Sequence, residues 1–162
     1  TWSAPFLIDG YGTDTLGVGD SGIGASLFVD ASGVWHVSYV DGAEERLRYA
    51  RVEGGTVTTE EVDDGSTDGT SPNPDGRHIV GDDSSIVVTD GGEIRIVYQD
   101  ATSRRAMLAR RASGGGEWAI SIFDADDSTG FWLEQKLLGT TSVVATYFRS
   151  AEGGGVRRFD LE

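Results

Sequence analysis

One segment occurs twice in the chain and then a third time in weaker form. Residues 26–41 read Ser-Leu-Phe-Val-Asp-Ala-Ser-Gly-Val-Trp-His-Val-Ser-Tyr-Val-Asp, and residues 86–100 read Ile-Val-Val-Thr-Asp-Gly-Gly-Glu-Ile-Arg-Ile-Val-Tyr-Gln-Asp. Aligned this way, Asp30 pairs with Asp90, Tyr39 with Tyr98 and Asp41 with Asp100. Arg46-Leu-Arg-Tyr-Ala-Arg51 follows the first copy and Arg105-Ala-Met-Leu-Ala-Arg110 the second. In the third, Val143-Val-Ala-Thr-Tyr-Phe-Arg149 puts Tyr147 in the tyrosine column, and Val156-Arg-Arg-Phe159 takes the arginine-rich place. Repetition at this scale constrains the fold strongly. One supersecondary unit must be stacked several times, because a single unit cannot bury its own apolar face.

The units are made of strands. Each segment is rich in Val, Ile, Tyr and Thr and often alternates apolar with polar residues, as a half-buried strand does. Asp-Gly, Gly-Gly and Asp-Ala-Ser-Gly separate the segments, and these are turn sequences. The 24 glycines, against three prolines, fit many tight turns. A fourth segment type links the units. Trp2-Ser-Ala-Pro-Phe-Leu-Ile-Asp9 resembles Trp118-Ala-Ile-Ser-Ile-Phe-Asp124, and Val57-Thr-Thr-Glu-Glu-Val-Asp63 is the same segment without tryptophan. All three end on an aspartate and run into an acidic, glycine-rich loop.

The expected strands are A at 24–29, 84–89 and 132–138, and B at 34–40, 93–99 and 142–148. Strand C falls at 46–52, 105–111 and 155–160, and D at 2–8, 56–62 and 117–123. The expected fold is all-β: a β-propeller of three four-stranded antiparallel blades, repeats 10–62, 63–123 and 124–160, with strand 2–8 closing the last blade. The chain is one repeat domain, 1–162. Three blades are fewer than a usual ring, so the expectation is a homodimer with six blades or a part of a larger propeller.

Charge narrows the partners. Net charge is −14, from 13 Lys and Arg against 27 Asp and Glu, and a polyanion such as nucleic acid needs a basic surface. Nucleic acid is therefore excluded as a partner, and cations or neutral ligands are favoured. No apolar run is long enough for a membrane span. With no cysteine, thiol catalysis, zinc–thiolate sites and disulfides are excluded, and this usage fits a secreted, extracellular or periplasmic protein.

The turn Asp30-Ala-Ser-Gly-Val-Trp35 resembles the Asp-box turn of sialidase-like β-propellers, and Asp90-Gly-Gly-Glu-Ile94 is a looser copy. The whole pattern is similar to repeats of secreted bacterial propellers with lectin-like roles. That resemblance implies a propeller fold and a secreted, non-catalytic module binding carbohydrate. It also implies an alternative, a sialidase-like glycoside hydrolase or a fragment of one. Such enzymes use an arginine cluster, a Tyr–Glu pair and an acidic proton shuttle, and no unique set of these stands out here. A protein-interaction scaffold is the third reading.

Candidate ligand-binding residues are Trp2 and Trp118, Trp35, and Arg48. The first two share a place on the outer strand. Indole rings there stack on sugar faces or pin the edge strand, and an arginine grips anionic groups. The bland reading of Arg46, Arg48, Arg51, Arg105, Arg110 and Arg111 is surface pairing with carboxylates. Tyr39, Tyr98 and Tyr147, repeated at one strand position, read as core with their hydroxyls bonded to turns. Asp30, Asp41, Asp90 and Asp100 read as turn caps.

The loop 63–83 is the densest acidic stretch. From Ser71 its oxygen-bearing residues fall at positions 1, 3 and 5, with Gly76 at 6 and Asp82 at 12, a spacing like a Ca²⁺ loop. Asp63, Asp68, Asn73, Asp75 and Asp82 are the expected Ca²⁺ ligands. His36 and His78 lie outside any nucleophile motif, and Gly22-Ile-Gly24 is no phosphate loop because neither lysine nor helix follows.

Overall fold

The computed structural model describes residues 4–10, 20–126, 128–139, 141–150 and 152–162. The described chain is all-β, with eleven strands and no helix among the described residues. Sheet 1 contains β1 (Ser21–Val29), β2 (Trp35–Asp41), β3 (Arg46–Glu53) and β4 (Thr56–Asp63). Sheet 2 contains β5 (Val80–Val88), β6 (Ile94–Asp100), β7 (Arg105–Arg111) and β8 (Ala119–Asp124). Sheet 3 contains β9 (Ser128–Leu138), β10 (Thr141–Ser150) and β11 (Gly153–Leu161). Each sheet is an antiparallel meander in chain order, an architecture compatible with successive propeller-like blades.

The first strand of each sheet begins earlier than its apolar pattern. Register shifts interrupt β1 between Ser21 and Ser26, and β5 between Val80 and Ser85. Each of these strands carries two positive-φ residues, two apart: Gly22 and Gly24, Gly81 and Asp83, Gly130 and Trp132. A bulged strand breaks the alternation from which strands are read, so its polar, glycine-rich start looks like loop.

Sheet 2 lies between the other two, with β5 packed on β1, β2 and β3 and also on β9. All of β6 is buried, since both its faces meet another sheet. Ile86, Val88, Ile94, Ile96, Tyr98, Met107 and Ala109 pack with Leu47, Tyr49 and Val62 of sheet 1. On the other face Val97 and Leu108 meet Leu133 and Val144 of sheet 3, flanked by Phe159 and Leu161. Burying each large side chain here contributes about 1.5–3 kcal/mol.

Three expectations are corrected. First, residues 4–8 form no strand and do not complete sheet 3, which has three strands among the described residues. Pro5 has no N–H for a ladder, and Ile8 packs instead on the outer face of sheet 1, against Val37, Tyr39 and Ala50. Secondly, the counterpart of Asp30 is Thr89, not Asp90. Asp30 N–H donates to the Val34 carbonyl at 3.0 Å in one hairpin, and Thr89 N–H donates to that of Glu93 at 2.9 Å in the other.

Thirdly, Tyr147 is not the counterpart of Tyr39 and Tyr98. Ser142, Val144 and Thr146 are the buried residues of β10, with Val144 against sheet 2, so the alternation turns Tyr147 to the far face. By the strand register Thr146 takes the tyrosine's place in sheet 3, and its Oγ1 donates to the Phe131 carbonyl at 3.2 Å. A one-residue slip reverses every side chain of a strand, and the weak third copy was aligned one residue out.

Candidate functional site

The aspartates that close the linking segments tie those segments to the sheet that follows. Tyr98 on β6 donates its hydroxyl to Asp63, at the end of β4, at 2.6 Å, and Tyr39 on β2 donates to Asp9 at 2.5 Å. Burial and the adjacent carboxylate raise the pKa of both phenols, keeping the hydroxyls protonated as donors. Burial also raises that of Asp63, against the bonds it accepts from Tyr98 and Gly65. In sheet 3 the hydroxyl of Thr146 donates to the Phe131 carbonyl rather than to the third aspartate, Asp124. Asp124 accepts instead from Thr129 Oγ1 at 2.8 Å and from Arg157 at 3.0 Å, while the Arg157 guanidinium lies 4.1 Å over the Phe148 ring.

Turn aspartates act as expected in three hairpins. Asp30 accepts from the N–H groups of Ser32 and Val34, and Asp41 from those of Ala43 and Glu44. Asp100 accepts from Ser103 N–H and also bonds His78 Nδ1 at 2.5 Å. His78 Nε2 lies 2.7 Å from Asp75. Burial lowers the His78 pKa, but the bonds to Asp100 and Asp75 outweigh it and hold the pKa above the usual value. His36 is the opposite case: burial lowers its pKa, and its contacts are the Tyr49 hydroxyl at 2.7 Å and Asp30 at 3.4 Å.

The five expected Ca²⁺ ligands do not converge. Asp63 serves Tyr98, Asp68 accepts from the amides and hydroxyl of its own turn at Thr70 and Ser71, and Asp75 serves His78. Asn73 donates its amide to the Gly65 carbonyl at 2.8 Å. Asp82 lies within β5, where burial and the Asp83 charge raise its pKa. Among the described residues no group of three or more His, Asp or Glu could hold a metal ion. The loop is held in place by packing: Gly65, at φ +75°, lies against the His78 backbone, and Gly69, at φ +84°, against the Ile120 carbonyl. A Cβ at either position would collide.

The expected ligand-binding residues separate. Trp2 lies outside the described residues. Trp118 is half-buried, its ring 5.5 Å from that of Tyr49, with the Arg111 guanidinium 4.5 Å over it, so it joins sheets 1 and 2. Arg48 is nearly buried between Asp9, at 3.7 Å, and Asp41, at 3.5 Å, where it balances the charge of the Asp9–Tyr39 tie. Trp35 is different. It is 42% exposed at the start of β2, beside Phe6 at 50%. The two rings border an open groove of about 250 Å³ with Gly33, Val52, Gly54 and Gly55. A Cβ on Gly33, Gly54 or Gly55 would meet nothing within 4 Å, so the glycines leave the indole open to solvent.

Two exposed aromatic positions escaped the sequence reading. Phe6 sits in a segment read as a closing strand. Trp132, 71% exposed, opens the expected strand 132–138 and lies on β9. The signal available for Trp132 was its position, aligned with Gly24 and Asp83 in the bulged strands.

No protein-family model matches the chain, and no curated protein matches it significantly.

Proposed function

We propose that the chain is a secreted, non-catalytic binding module of propeller-like build whose ligand is a carbohydrate. The groove at Trp35 is the observation that carries this reading. It pairs two exposed aromatic faces with a rim of glycines, and a sugar ring stacks on such faces through its C–H groups. The hydrolase reading is less well supported. The Tyr39–Asp9 contact, with Arg48 beside it, is the nearest thing to a nucleophile pair, but the phenol pKa is raised rather than lowered. The same contact recurs, buried, at Tyr98 and Asp63, which is what a structural tie does.

A homodimer with six blades is the assembly this reading favours. Within the described residues β11 lacks the outer neighbour that β3 and β7 have in β4 and β8. Light scattering giving twice the chain mass supports the dimer, and the mass of one chain rejects it.

A glycan array followed by calorimetry tests the function. The expected result is binding that Trp35→Ala removes while the circular dichroism spectrum is unchanged. An array with no binder, or binding that survives Trp35→Ala, overturns the assignment to this groove. Release of product from a chromogenic glycoside overturns the non-catalytic reading.

A further inference from the structure

Trp132 stands where neither packing nor backbone preference explains a tryptophan. Its φ is +49°, a region in which bulky L-residues are rare. The corresponding bulge of sheet 1 has glycine there, and that of sheet 2 has Asp83, a residue type that tolerates this conformation. The ring gains little burial in return, at 71% exposed. Strain of this kind persists where the surroundings impose it, and it clusters at binding sites. Here the surroundings are visible. Trp132 N–H donates to Asp83 Oδ2 at 2.9 Å, which fixes the backbone across the gap between sheets 2 and 3.

Two more rings stand beside it. Tyr147 lies 5.3 Å from the Trp132 ring, edge-on at 60°, and Phe131 lies 6.2 Å from each. The slip that turned Tyr147 away from sheet 2 is what places it in this group. Next to the rings is the Asp83 carboxylate, held on the Trp132 N–H. The guanidinium–ring contacts of the described residues lie elsewhere, at Tyr49, Trp118 and Phe148.

We propose that Trp132, Tyr147 and Phe131, with Asp83, form a binding site for an organic cation, of the quaternary or alkylated ammonium class. Ring faces carry the negative part of their quadrupole, so a soft cation held over the indole is attracted without having to shed a tight hydration shell. The adjacent carboxylate and the net charge of −14 complement the same sign of ligand. A neutral sugar uses the rings but gains nothing from this charge. The site is separate from the Trp35 groove, and its success or failure is independent of the carbohydrate reading.

The test is a titration of the protein with choline chloride, followed through the indole N–H resonances and assigned with Trp132→Phe. The expected result is a saturable shift of the Trp132 signal at millimolar choline, absent with sodium chloride at equal ionic strength. Asp83→Asn keeps a carbonyl acceptor for the Trp132 N–H but removes the charge, and weakens binding about two- to fivefold. Trp132→Ala abolishes it, with the other indole signals unmoved as the check on folding. A Trp132 signal that choline does not move overturns the proposal. So does an equal response to glucose, or a shift that follows protein concentration alone, which would mean that another copy of the chain covers the rings.

Discussion

Where sheet 2 meets sheet 1, Ile96, Tyr98 and Met107 pack with Leu47 of β3 among other apolar side chains. On the face that meets sheet 3, Val97, Leu108, Leu133 and Val144 form a smaller cluster, and polar side chains share the contact. Gln135 donates its amide to the carbonyls of Ser85 and Arg95, Gln99 donates to that of Thr129, and the buried Arg95 reaches the Leu161 carbonyl at 2.8 Å. One repeat unit thus produces two kinds of interface. The first is mainly apolar, with the Tyr98–Asp63 and Ser38–Ser84 bonds among its buried polar contacts. The second depends on buried polar groups that are costly only if a partner is lost.

Core truncation is the largest test of that difference. Ile96→Ala is expected to cost about 2–5 kcal/mol, because the sheet 1–2 core leaves little room to collapse into the cavity. Val144→Ala removes less area from a smaller cluster and is expected to cost about 2 kcal/mol or less. Urea unfolding of both variants measures the ratio. Equal losses would mean that the two interfaces are equivalent and break the comparison.

The tyrosine column sharpens it further. Tyr98→Phe leaves the buried Asp63 carboxylate short of a donor and is expected to cost about 1–3 kcal/mol. Tyr147→Phe removes a hydroxyl that no strand-end aspartate receives, and is expected to change stability by less than about 0.5 kcal/mol. The three tyrosines look alike in the sequence, so a comparable loss at Tyr147 would restore the original alignment and reject the slip. Calcium offers a check with no expected effect. A bound ion stabilises the folded state in proportion to the logarithm of its concentration over Kd. The dispersed positions of Asp63, Asp68, Asn73, Asp75 and Asp82 predict the same thermal midpoint in calcium and in chelator.

The strands of sheets 1 and 2 were legible because their alternation and turns carry local information. So was the aspartate that closes each linking segment, although its role was not. That role depends on a tyrosine in the next sheet, 30 residues away for Asp9 and 35 for Asp63, and no local pattern reports such a pair. Arg48 looked like a surface arginine because a strand's polar positions usually face water. Asp9 and Asp41 converge on it only in the folded chain. The spacing of the acidic loop does not report which partners its side chains take. Short polar side chains satisfy their own turn amides as readily as they ligate a metal, and Asp68 with Ser71 shows the former. Trp132 was missed because an apolar strand residue is read as core unless something marks its face, and the bulge that exposes it removes the alternation itself.

The smallest expected effect separates the two histidines by sign. The folded-state pKa of His78 is raised because the Asp100 and Asp75 bonds outweigh burial. Between the unfolded value, about 6.5, and that raised value the folded chain binds more protons, so stability falls as pH rises. The stabilisation is complete below about pH 6.5 and is lost on the alkaline side. His36 has a lowered pKa, from burial that Asp30 only partly offsets, and its contribution runs the other way. It is present above about pH 6.5 and is lost as pH falls through the lowered value. Unfolding free energies measured across this range in His78→Gln should lose the alkaline decline and keep the acid one. His36→Gln should do the reverse. If both variants flatten the same limb, one of the two hydrogen-bond assignments is wrong. The first to question would then be His78, because its charged form is favoured only while Nδ1–H donates to the buried Asp100 and Nε2–H to the exposed Asp75.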